Sequence, residues 1–366
     1  MNLSYHMPTR VLIGQDVVRR SAQQIAGMGE KALIVTGERS AKANGSQDDV
    51  VAALAQNGQH YAVFDKIKSN PVIASVYEGA ALAKQEGCDF VIAVGGGSPM
   101  DAAKAIALLA CQDISEENLF SGQYGGDVLP MVHIPTTAGT GSEVTPYAIL
   151  TDDKAQTKTS LASPLLYPKM ALLDAKYTQG LPLNVTINTA VDALSHAVEG
   201  MLTVRSCALT DLLAAESIKN ISCCFDAMKR DTLTMELREK LLYASMLGGM
   251  VIANTGTTIV HSMGYSLTYF KDVDHGRANG LLMAAFFEYL LKKGEKKVSQ
   301  ILSLMGFASV DAFRNTMNEL LGERGTLSEQ EIAAYSMNAV KTKNVGNTIA
   351  PPSEQEVASI YEASFS

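Results

Sequence analysis

The sequence predicts two domains: an α/β N-terminal domain built on a parallel sheet, over residues 1–180, and an all-α C-terminal domain over residues 181–366. A chain of 366 residues exceeds the ~250–300 residues at which one hydrophobic core stops growing. In the first half, short β-branched runs alternate with helical stretches, which is typical of strand–helix–strand units. In the second half, long amphipathic patterns replace this alternation.

Short hydrophobic runs in the first half predict the strands. Residues that favour turns follow these runs, among them Gly37 and the segment Ser69-Asn70-Pro71. The predicted strands are residues 32–36, 61–64, 90–94, 131–134 and 170–173.

Amphipathic periodicity predicts the helices of the second half. In the final helix, Ser353 is the expected N-cap and Glu356 completes a capping box. The other predicted helices are residues 187–202, 209–221, 235–253, 280–292 and 333–341.

The composition is that of a compact globular protein. Hydrophobic residues make up 47% and charged residues 19%, which excludes a disordered or fibrous chain. The net charge of −8 repels nucleic acid and anionic membranes, so we expect neither as a partner. Five sparse cysteines favour neither a disulfide framework nor a zinc knuckle, and no signal peptide is visible. We therefore expect a cytoplasmic protein.

Residues 241–270 carry no charged side chain, a run longer than the ~20 residues that span a bilayer. Ser245, Asn254, three threonines and several glycines interrupt this run. The mixture favours a deeply buried helix, closed by His261 and leading into a site, over a membrane span.

A glycine-rich turn joins the strand at 90–94 to the next helix in the segment GGGSPMDAAK. Ser98 is the expected N-cap, Pro99 the first helical residue, and Asp101 lies at the third position near the positive helix end. Such a helix start presents free N–H groups to an anion. The three glycines alone are equally compatible with a tight turn without a ligand, and the GxGxxG pattern is absent.

A second polar loop follows the next strand, in the segment IPTTAGTGSEVTPYAIL at residues 134–150. Its threonines, glycines and Ser142 offer many hydrogen-bond donors and little bulk. By composition alone it is equally a solvated loop. Two such loops after neighbouring strands favour a nucleotide-sized ligand at the carboxyl edge of the sheet.

A candidate metal site involves three of the six histidines. Asp192 and His196 are four residues apart, so a helix places them on one face, although such a pair is more often a simple hydrogen bond. Glu199 follows on the same stripe. If His261 and His275 fold back onto this pair, one Asp and three His provide a ligand set suited to a divalent transition metal.

Taken together, these motifs resemble those of the iron-containing (group III) alcohol dehydrogenase family, essentially from end to end. MPTRVLIG resembles the family's opening, GGGSPMDAAK its pyrophosphate loop and IPTTAGTGSEVTP its ribose and nicotinamide loop. VDALSHAVEG and HSMGYSLTYFKDVDHG resemble its two metal motifs. The resemblance implies the dehydroquinate synthase-like fold: a dinucleotide-binding α/β domain, a helical domain and a catalytic metal in the cleft between them.

By position, the resemblance assigns the metal ligands as Asp192, His196, His261 and His275, which act catalytically through the metal. It also implies a homodimer or higher homo-oligomer. Many members carry a second histidine four residues after the third ligand, near the nicotinamide, where this chain has Tyr265. Tyr265 contributes a phenolic hydroxyl or forms part of the pocket wall, and we favour the wall.

The coenzyme residues come partly from the resemblance and partly from the loops. Gly37 leaves room for a 2′-phosphate, and Ser40 with Arg39 or Lys42 offers donors, which favours NADP over NAD. An inward-pointing Glu38 would reverse that preference, and all these residues are alternatively part of a solvated loop. The predicted coenzyme-binding residues are Gly37, Ser40, Asn70, Gly95, Gly96, Gly97, Ser98, Asp101, Thr136, Thr137, Thr140, Ser142 and Lys158.

The predicted activity is reversible hydride transfer between a small primary alcohol or diol and NAD(P), with Fe²⁺ polarising the substrate oxygen. The ligand set also accepts Zn²⁺, Co²⁺ or Ni²⁺. One alternative is a glycerol dehydrogenase-like polyol oxidoreductase that uses zinc. Others are a dehydroquinate synthase-like metal-dependent lyase, which needs several basic residues near the site, and a non-catalytic nucleotide sensor.

Overall fold

The structure is a computed structural model that describes residues 3–154 and 157–365. The chain forms two compact units, an α/β unit of Met7–Leu181 and a helical unit that begins at Pro182. The sequence places residues 3–6 in the N-terminal domain, but they group with the helical unit. The reason is a pair of hydrogen bonds: His6 N donates to the Asn254 side chain at 2.7 Å, and the Asn254 amide donates to His6 O at 3.2 Å.

In the described part of the α/β unit, six strands form one parallel sheet in the order β1-β8-β5-β4-β2-β3. All five predicted strands are present, with ends within one residue of the prediction. The additional strand, β1, is a half-exposed edge strand that pairs with β8. The sheet consists of β1 (Arg10–Ile13), β2 (Lys31–Thr36), β3 (His60–Phe64), β4 (Phe90–Gly95), β5 (Met131–Pro135) and β8 (Met170–Leu173).

A separate antiparallel hairpin of β6 (Tyr147–Asp152) and β7 (Thr157–Ala162) follows the loop after β5. The sequence did not predict it. In the polar run TKTSLA of β7 only Leu161 is fully buried, so the strand lacks the hydrophobic run that marks the sheet strands.

Helices cover both faces of the sheet, and consecutive residues of the central strands therefore enter two different cores. Leu33 and Val91 pack into one core with α5 and α6, whereas Ile34 and Ile92 pack into the other with α1, α2 and α4. The helices are α1 (Val17–Arg20), α2 (Ala22–Ala26), α3 (Ser40–Ala43), α4 (Ser46–Gln56), α5 (Ile73–Glu86) and α6 (Gly97–Cys111).

The second unit is helical, and every helix predicted there is present. Its helices are α7 (Leu183–Met201), α8 (Ala208–Ser222), α9 (Phe225–Lys229), α10 (Met235–Thr255), α11 (Ile259–Lys271), α12 (His275–Lys292), α13 (Lys297–Leu304), α14 (Val310–Leu321), α15 (Glu329–Val340), α16 (Asn344–Asn347) and α17 (Glu354–Phe365). Helix α7 contacts α8, α10, α12 and α14, and 14 of its residues are buried.

The uncharged run at 241–270 is two helices rather than one. Helix α10 ends at Thr255 because Gly256 adopts φ 70°, a conformation that favours glycine. His261 consequently lies in the first turn of α11 and does not close α10. Among residues 3–154 and 157–365, no helix has the length and apolar character needed to cross a membrane.

The predicted capping box at α17 is confirmed. Ser353 Oγ accepts from Glu356 N at 3.3 Å, and Glu356 Oε2 accepts from Ser353 N at 2.9 Å. Each bond satisfies a backbone donor that the first helical turn leaves without a partner.

Replacing the capping side chain tests this helix end. We expect Ser353→Ala to lower the free energy of unfolding by about 1 kcal/mol, measured by chemical denaturation. The control is Ser359→Ala in the same helix, whose hydroxyl only donates to Gln355 O. Equal stability of the Ser353 and Ser359 variants would contradict the role of the cap.

Candidate active site

The predicted ligands converge within the helical unit. One ligand atom each from Asp192, His261 and His275 lies within 4.8 Å of the other two. His196 joins through Asp192, with 3.8 Å between His196 Nε2 and Asp192 Oδ1. Helix α7 supplies Asp192 and His196, α11 supplies His261, and His275 is the first residue of α12.

The arrangement of rings and carboxylate fits a divalent transition metal. The His261 ring stacks on His196 at 5.0 Å between centroids and meets His275 edge-on at the same distance. The ligand atoms lie within 4.8 Å of one another. Ligands at ~2.0–2.2 Å from a tetrahedral metal are roughly 3.3–3.6 Å apart, so binding would draw these atoms together by about 1 Å or more. The donors are imidazole nitrogen and carboxylate oxygen, which suit Fe²⁺, Zn²⁺ or a related ion.

Asn279, which the sequence analysis missed, lies against the same ligand atoms. Its Nδ2 is 3.3 Å from Asp192 Oδ1 and from His261 Nε2, and 3.4 Å from His275 Nε2. It is fully buried and also approaches Ser195 Oγ at 3.4 Å. The signal was its spacing, because Asn279 follows His275 by four residues and shares its face of α12.

Glu199 contacts the predicted ligand His261 at its Nδ1 atom, whereas Asn279 lies at the Nε2 atom. Glu199 Oε1 is 2.5 Å from His261 Nδ1, and its Oε2 accepts from Thr258 N and Thr258 Oγ1 at 2.8 and 2.6 Å. Burial of His261 disfavours its charged form, but the Glu199 carboxylate outweighs burial and raises the His261 pKa. The sequence placed Glu199 on the same stripe of α7 without assigning it a role.

Tyr265 lies one helical turn after His261. Its ring stacks on His275 at 5.5 Å with an interplanar angle of 16° and meets His261 edge-on at 6.4 Å. The side chain thus lies beside two predicted ligands, which suits the wall role, although a role for its hydroxyl stays a separate prediction.

In the α/β unit, the glycine-rich turn begins the helix two positions earlier than predicted. Helix α6 starts at Gly97 with Gly96 as N-cap, so Ser98 is not the N-cap and Asp101 lies beyond the first turn. The Ser98 hydroxyl instead accepts from Asn70 N at 3.2 Å. Asn70 itself adopts φ 57°, and its carbonyl accepts from Thr151 Oγ1.

The polar loop at residues 134–150, the threonine loop, packs directly on this turn. A Cβ on Gly97 would lie 2.6 Å from the Thr140 side chain, and one on Gly96 would lie 3.0 Å from Thr137 Oγ1. Thr136 N donates to Gly95 O at 2.9 Å. The two predicted coenzyme loops therefore meet at the carboxyl ends of β4 and β5, and the glycines make that contact sterically possible.

Lys104, which was not predicted as a site residue, lies in α6 and binds the threonine loop through buried hydrogen bonds. It is fully buried, and its Nζ donates to Ser142 Oγ at 2.7 Å, to Thr145 Oγ1 at 3.1 Å and to Tyr147 O at 2.6 Å. Burial lowers the Lys104 pKa to about 8, although Asp101 acts in the opposite direction. The available signal was a lone lysine within the apolar run AAKAIALL of α6.

Asp101 is held by protein groups of the same network. Its two oxygens accept from Ser142 Oγ at 2.6 Å and from Ile149 N at 3.0 Å, and burial raises its pKa. Lys158 lies in β7 opposite Thr151, and its positive charge acts on Asp101 in the direction of a lower pKa. The structure therefore brings Asp101, Ser142 and Lys158 into one region with the glycine turn.

The residues proposed for the 2′-phosphate follow β2. A Cβ on Gly37 would lie 3.8 Å from Ser40 Oγ, so the two are neighbours. Lys42 Nζ is bound to Asp65 at 2.7 Å, whereas Arg39 is loosely paired with Glu38 at 3.9 Å, and both of those side chains are at least 80% exposed. Neither Arg39 nor Glu38 is held by the protein in one direction.

Family models match both halves of the chain. Residues 8–175 match the model described as iron-containing alcohol dehydrogenase, and residues 186–365 match the model of the C-terminal part of that family. The chain belongs to the iron-containing alcohol dehydrogenase family.

Relatives of the family extend over most of the chain. A 1,3-propanediol dehydrogenase of Klebsiella pneumoniae is 31% identical, with 92% of each chain covered. A choline dehydrogenase of Bacillus subtilis is also 31% identical, over 86% of this chain and 79% of its own length. The solved structure of an iron-containing alcohol dehydrogenase from Thermotoga maritima is 36% identical, with a TM-score of 0.92 and 99% of each chain covered.

Membership in this family makes the chain an alcohol dehydrogenase and confirms the predicted fold class. The family implies a metal and a nicotinamide coenzyme. The His and Asp cluster of the helical unit has nitrogen and oxygen donors suited to the metal. The two loops that pack on each other in the α/β unit have the small residues and backbone N–H groups suited to the nicotinamide coenzyme.

One buried acid of the predicted coenzyme loop at residues 134–150 supports a prediction about pH. Glu143 is 1% exposed, and its Oε1 has no hydrogen-bond partner among the described residues. Burial raises the Glu143 pKa from 4.5 to about 7. Between these values the unfolded chain ionises first, so the contribution of Glu143 to stability is present below pH 4.5 and is lost as the pH rises to 7.

We expect Glu143→Gln to remove this loss, which amounts to at most about 3 kcal/mol. The free energy of unfolding is measured from pH 4.5 to 8 for both proteins. Glu117→Gln, at an exposed position of the same unit, should keep the wild-type pH dependence. Parallel curves for wild type and Glu143→Gln would show that this carboxyl does not cause the loss.

Proposed function

We propose that the chain catalyses reversible hydride transfer between a small primary alcohol or diol and NADP, with Fe²⁺ held by Asp192, His196, His261 and His275. The observation that carries this proposal is the convergence of ligand atoms from three helices within 4.8 Å. Family membership supports the reaction class. The choice of iron over other metals and of NADP over NAD is our proposal beyond the ligand convergence and the family membership.

The ligand set supports iron without excluding zinc. One carboxylate and three imidazoles are ordinary ligands for either ion, and thiolates are absent from the predicted set. When bound, a divalent cation acts as a Lewis acid on the oxygen of the alcohol or aldehyde. A zinc polyol oxidoreductase of the glycerol dehydrogenase type is the nearest alternative.

Groups of the protein then bind and orient the metal and the coenzyme. Asp192, His196 and His261 are each at most 5% exposed, which keeps bulk water away from the ligands. In the α/β unit, the first turn of α6 has backbone N–H groups suited to a pyrophosphate. Buried Lys104 of α6 holds the threonine loop in place through three hydrogen bonds.

A metal-dependent lyase is less compatible with the groups around the ligands. A lyase of the dehydroquinate synthase type needs several cations to hold an acidic substrate. Asn279, Tyr265 and Glu199, which lie against the histidines, are neutral or acidic. These surroundings favour an uncharged alcohol or aldehyde.

Preference for NADP rests on the residues after β2. Gly37 provides space beside Ser40, and Arg39 is exposed and only loosely paired, so it is available to a 2′-phosphate. Lys42 is a weaker candidate because Asp65 already compensates its charge.

Removal of one ligand tests the metal mechanism. We expect His275→Ala to reduce NADPH oxidation with propanal, butanal or lactaldehyde on the order of 10³-fold, because several kcal/mol of transition-state stabilisation are lost. Chelation should abolish wild-type turnover and added Fe²⁺ should restore it. His60→Ala, at an exposed position in β3, is the control. Turnover that survives chelation would overturn the metal mechanism, and no turnover with any carbonyl would favour a nucleotide sensor or lyase.

A carboxylate at position 37 tests the coenzyme preference. We expect Gly37→Asp to reduce kcat/KM for NADPH relative to NADH by about 10- to 100-fold, because the carboxylate repels a 2′-phosphate and accepts from a ribose hydroxyl. Ser40→Ala should lower kcat/KM for NADPH and leave that for NADH unchanged. Glu38→Gln should leave the ratio of the two kcat/KM values unchanged. A large rise in kcat/KM for NADPH in that variant would show that Glu38 points inward.

A further inference from the structure

We propose that Glu199 is a positioning residue for the metal site: it fixes the tautomer and ring orientation of His261 and is itself held by Thr258. The inference rests on the proposed function, since it takes the histidine cluster as a metal site. It assigns a task to a fully buried carboxylate that the ligand set does not use.

The contacts account for both oxygens of the carboxylate. Glu199 Oε1 lies 2.5 Å from His261 Nδ1, while Oε2 accepts two hydrogen bonds from Thr258, at 2.8 Å from its N and 2.6 Å from its Oγ1. Glu199 is 0% exposed, so water does not compete for these oxygens. A buried carboxylate is costly unless such donors satisfy it, and here they also define its direction.

This geometry selects one form of the neutral imidazole. Glu199 is an acceptor at Nδ1, so Nδ1 carries the proton and donates it. The lone pair then lies on Nε2, the nitrogen on the side of Asp192 and Asn279. Without the carboxylate, the ring loses the partner that holds this tautomer and angle. Carboxylates that act on ligating histidines in this way typically change metal affinity 10- to 100-fold.

Glu199 also ties two helices together. It lies on α7, three residues after His196 and on the same stripe as Asp192. Thr258 is the N-cap of α11, and its side chain accepts from Val260 N, so the carboxylate sits at the positive end of that helix. One side chain therefore sets where α11 begins relative to α7 and how His261, in its first turn, is aimed.

A purely structural role is the competing explanation, in which Glu199 only anchors the start of α11. Both roles predict lower stability when Glu199 is replaced. Only the positioning role predicts weaker metal binding and a changed coordination geometry in the folded protein.

The experiment uses the purified full chain and Co²⁺ as the probe, well below the melting temperature of each variant. Affinity is measured by competition with a chromophoric chelator, and geometry by the visible absorption of bound Co²⁺. We expect Glu199→Gln to weaken Co²⁺ binding 10- to 100-fold and to shift the spectrum. Thr258→Val should weaken it less, and Thr258→Ser, which keeps the hydroxyl, should restore wild-type binding. Glu216→Gln, at an exposed position in α8, is the matched control.

The outcomes separate the two proposals. If wild type binds Co²⁺ and Glu199→Gln binds it with the same affinity and spectrum, the positioning role is wrong and the metal site stands. If wild type binds no Co²⁺, the proposed function fails together with this inference. If Glu199→Gln does not fold, Thr258→Val decides: wild-type affinity and spectrum in that variant overturn the positioning role, and weaker binding that Thr258→Ser restores supports it.

Discussion

The histidine cluster depends on how closely α12 approaches α7, and that approach depends on Gly276. A Cβ at position 276 would lie 1.9 Å from Asn188 O and 2.8 Å from Asp192 Cβ, so even alanine would force the helices apart. His275 is the preceding residue, and its distance to Asp192 follows directly from this contact. Gly264 acts similarly between α11 and α12, since a Cβ there would lie 2.2 Å from Asn279 Oδ1. Absence of side chains at two positions allows three helices to bring their polar groups together.

The α/β unit solves a comparable packing problem with a buried cation. Three protein acceptors and the nearby Asp101 surround Lys104, which has no contact with water. Each acceptor comes from the loop after β5 or from the start of the hairpin, whereas Lys104 belongs to α6. The buried ammonium therefore fixes the threonine loop against the helix that carries the glycine turn. Removing such a partner would leave buried polar groups unsatisfied, which is costly in a dry interior.

The sequence predicts most of the fold because the strands and helices have strong periodic patterns. The central strands are buried on both faces, so runs such as FVIAV indicate a strand directly, and helices such as α7 carry clear amphipathic periodicity. The hairpin was missed because its polar strand has one fully buried residue, Leu161, and no such pattern. Helix α11 was missed, and His261 was placed at the end of the preceding helix, because residues 241–270 carry no charged side chain to separate the two helices. The available signal was the polar segment at residues 254–258, where Gly256 has a positive φ.

For the candidate site, residue type and spacing identified the ligands but not what supports them. Helical spacing places His196 beside Asp192, and the order of motifs added His261 and His275. Lys104 and Asn279 were missed because a buried polar residue reveals its partners only when distant segments meet. The exact start of α6 was wrong because Ser98 has all the properties of an N-cap, yet its hydroxyl is used by Asn70.

The polar stripe on α7 is itself an argument for a bound cation. Asp192, Ser195, His196 and Glu199 occupy one face of a helix within eight residues, and each is at most 5% exposed. Two of them are carboxylates inside an otherwise apolar bundle, where hydrophobic residues of similar size would usually be at least as stable. Donors from Thr258 and His261 satisfy Glu199. Asp192 Oδ1 accepts from Asn279 Nδ2 at 3.3 Å, and the Nε2 atoms of His196 and His275 lie 3.8 Å from the same oxygen. A divalent cation bound by the imidazole nitrogens would offset the negative charge of the Asp192 carboxylate at the same time.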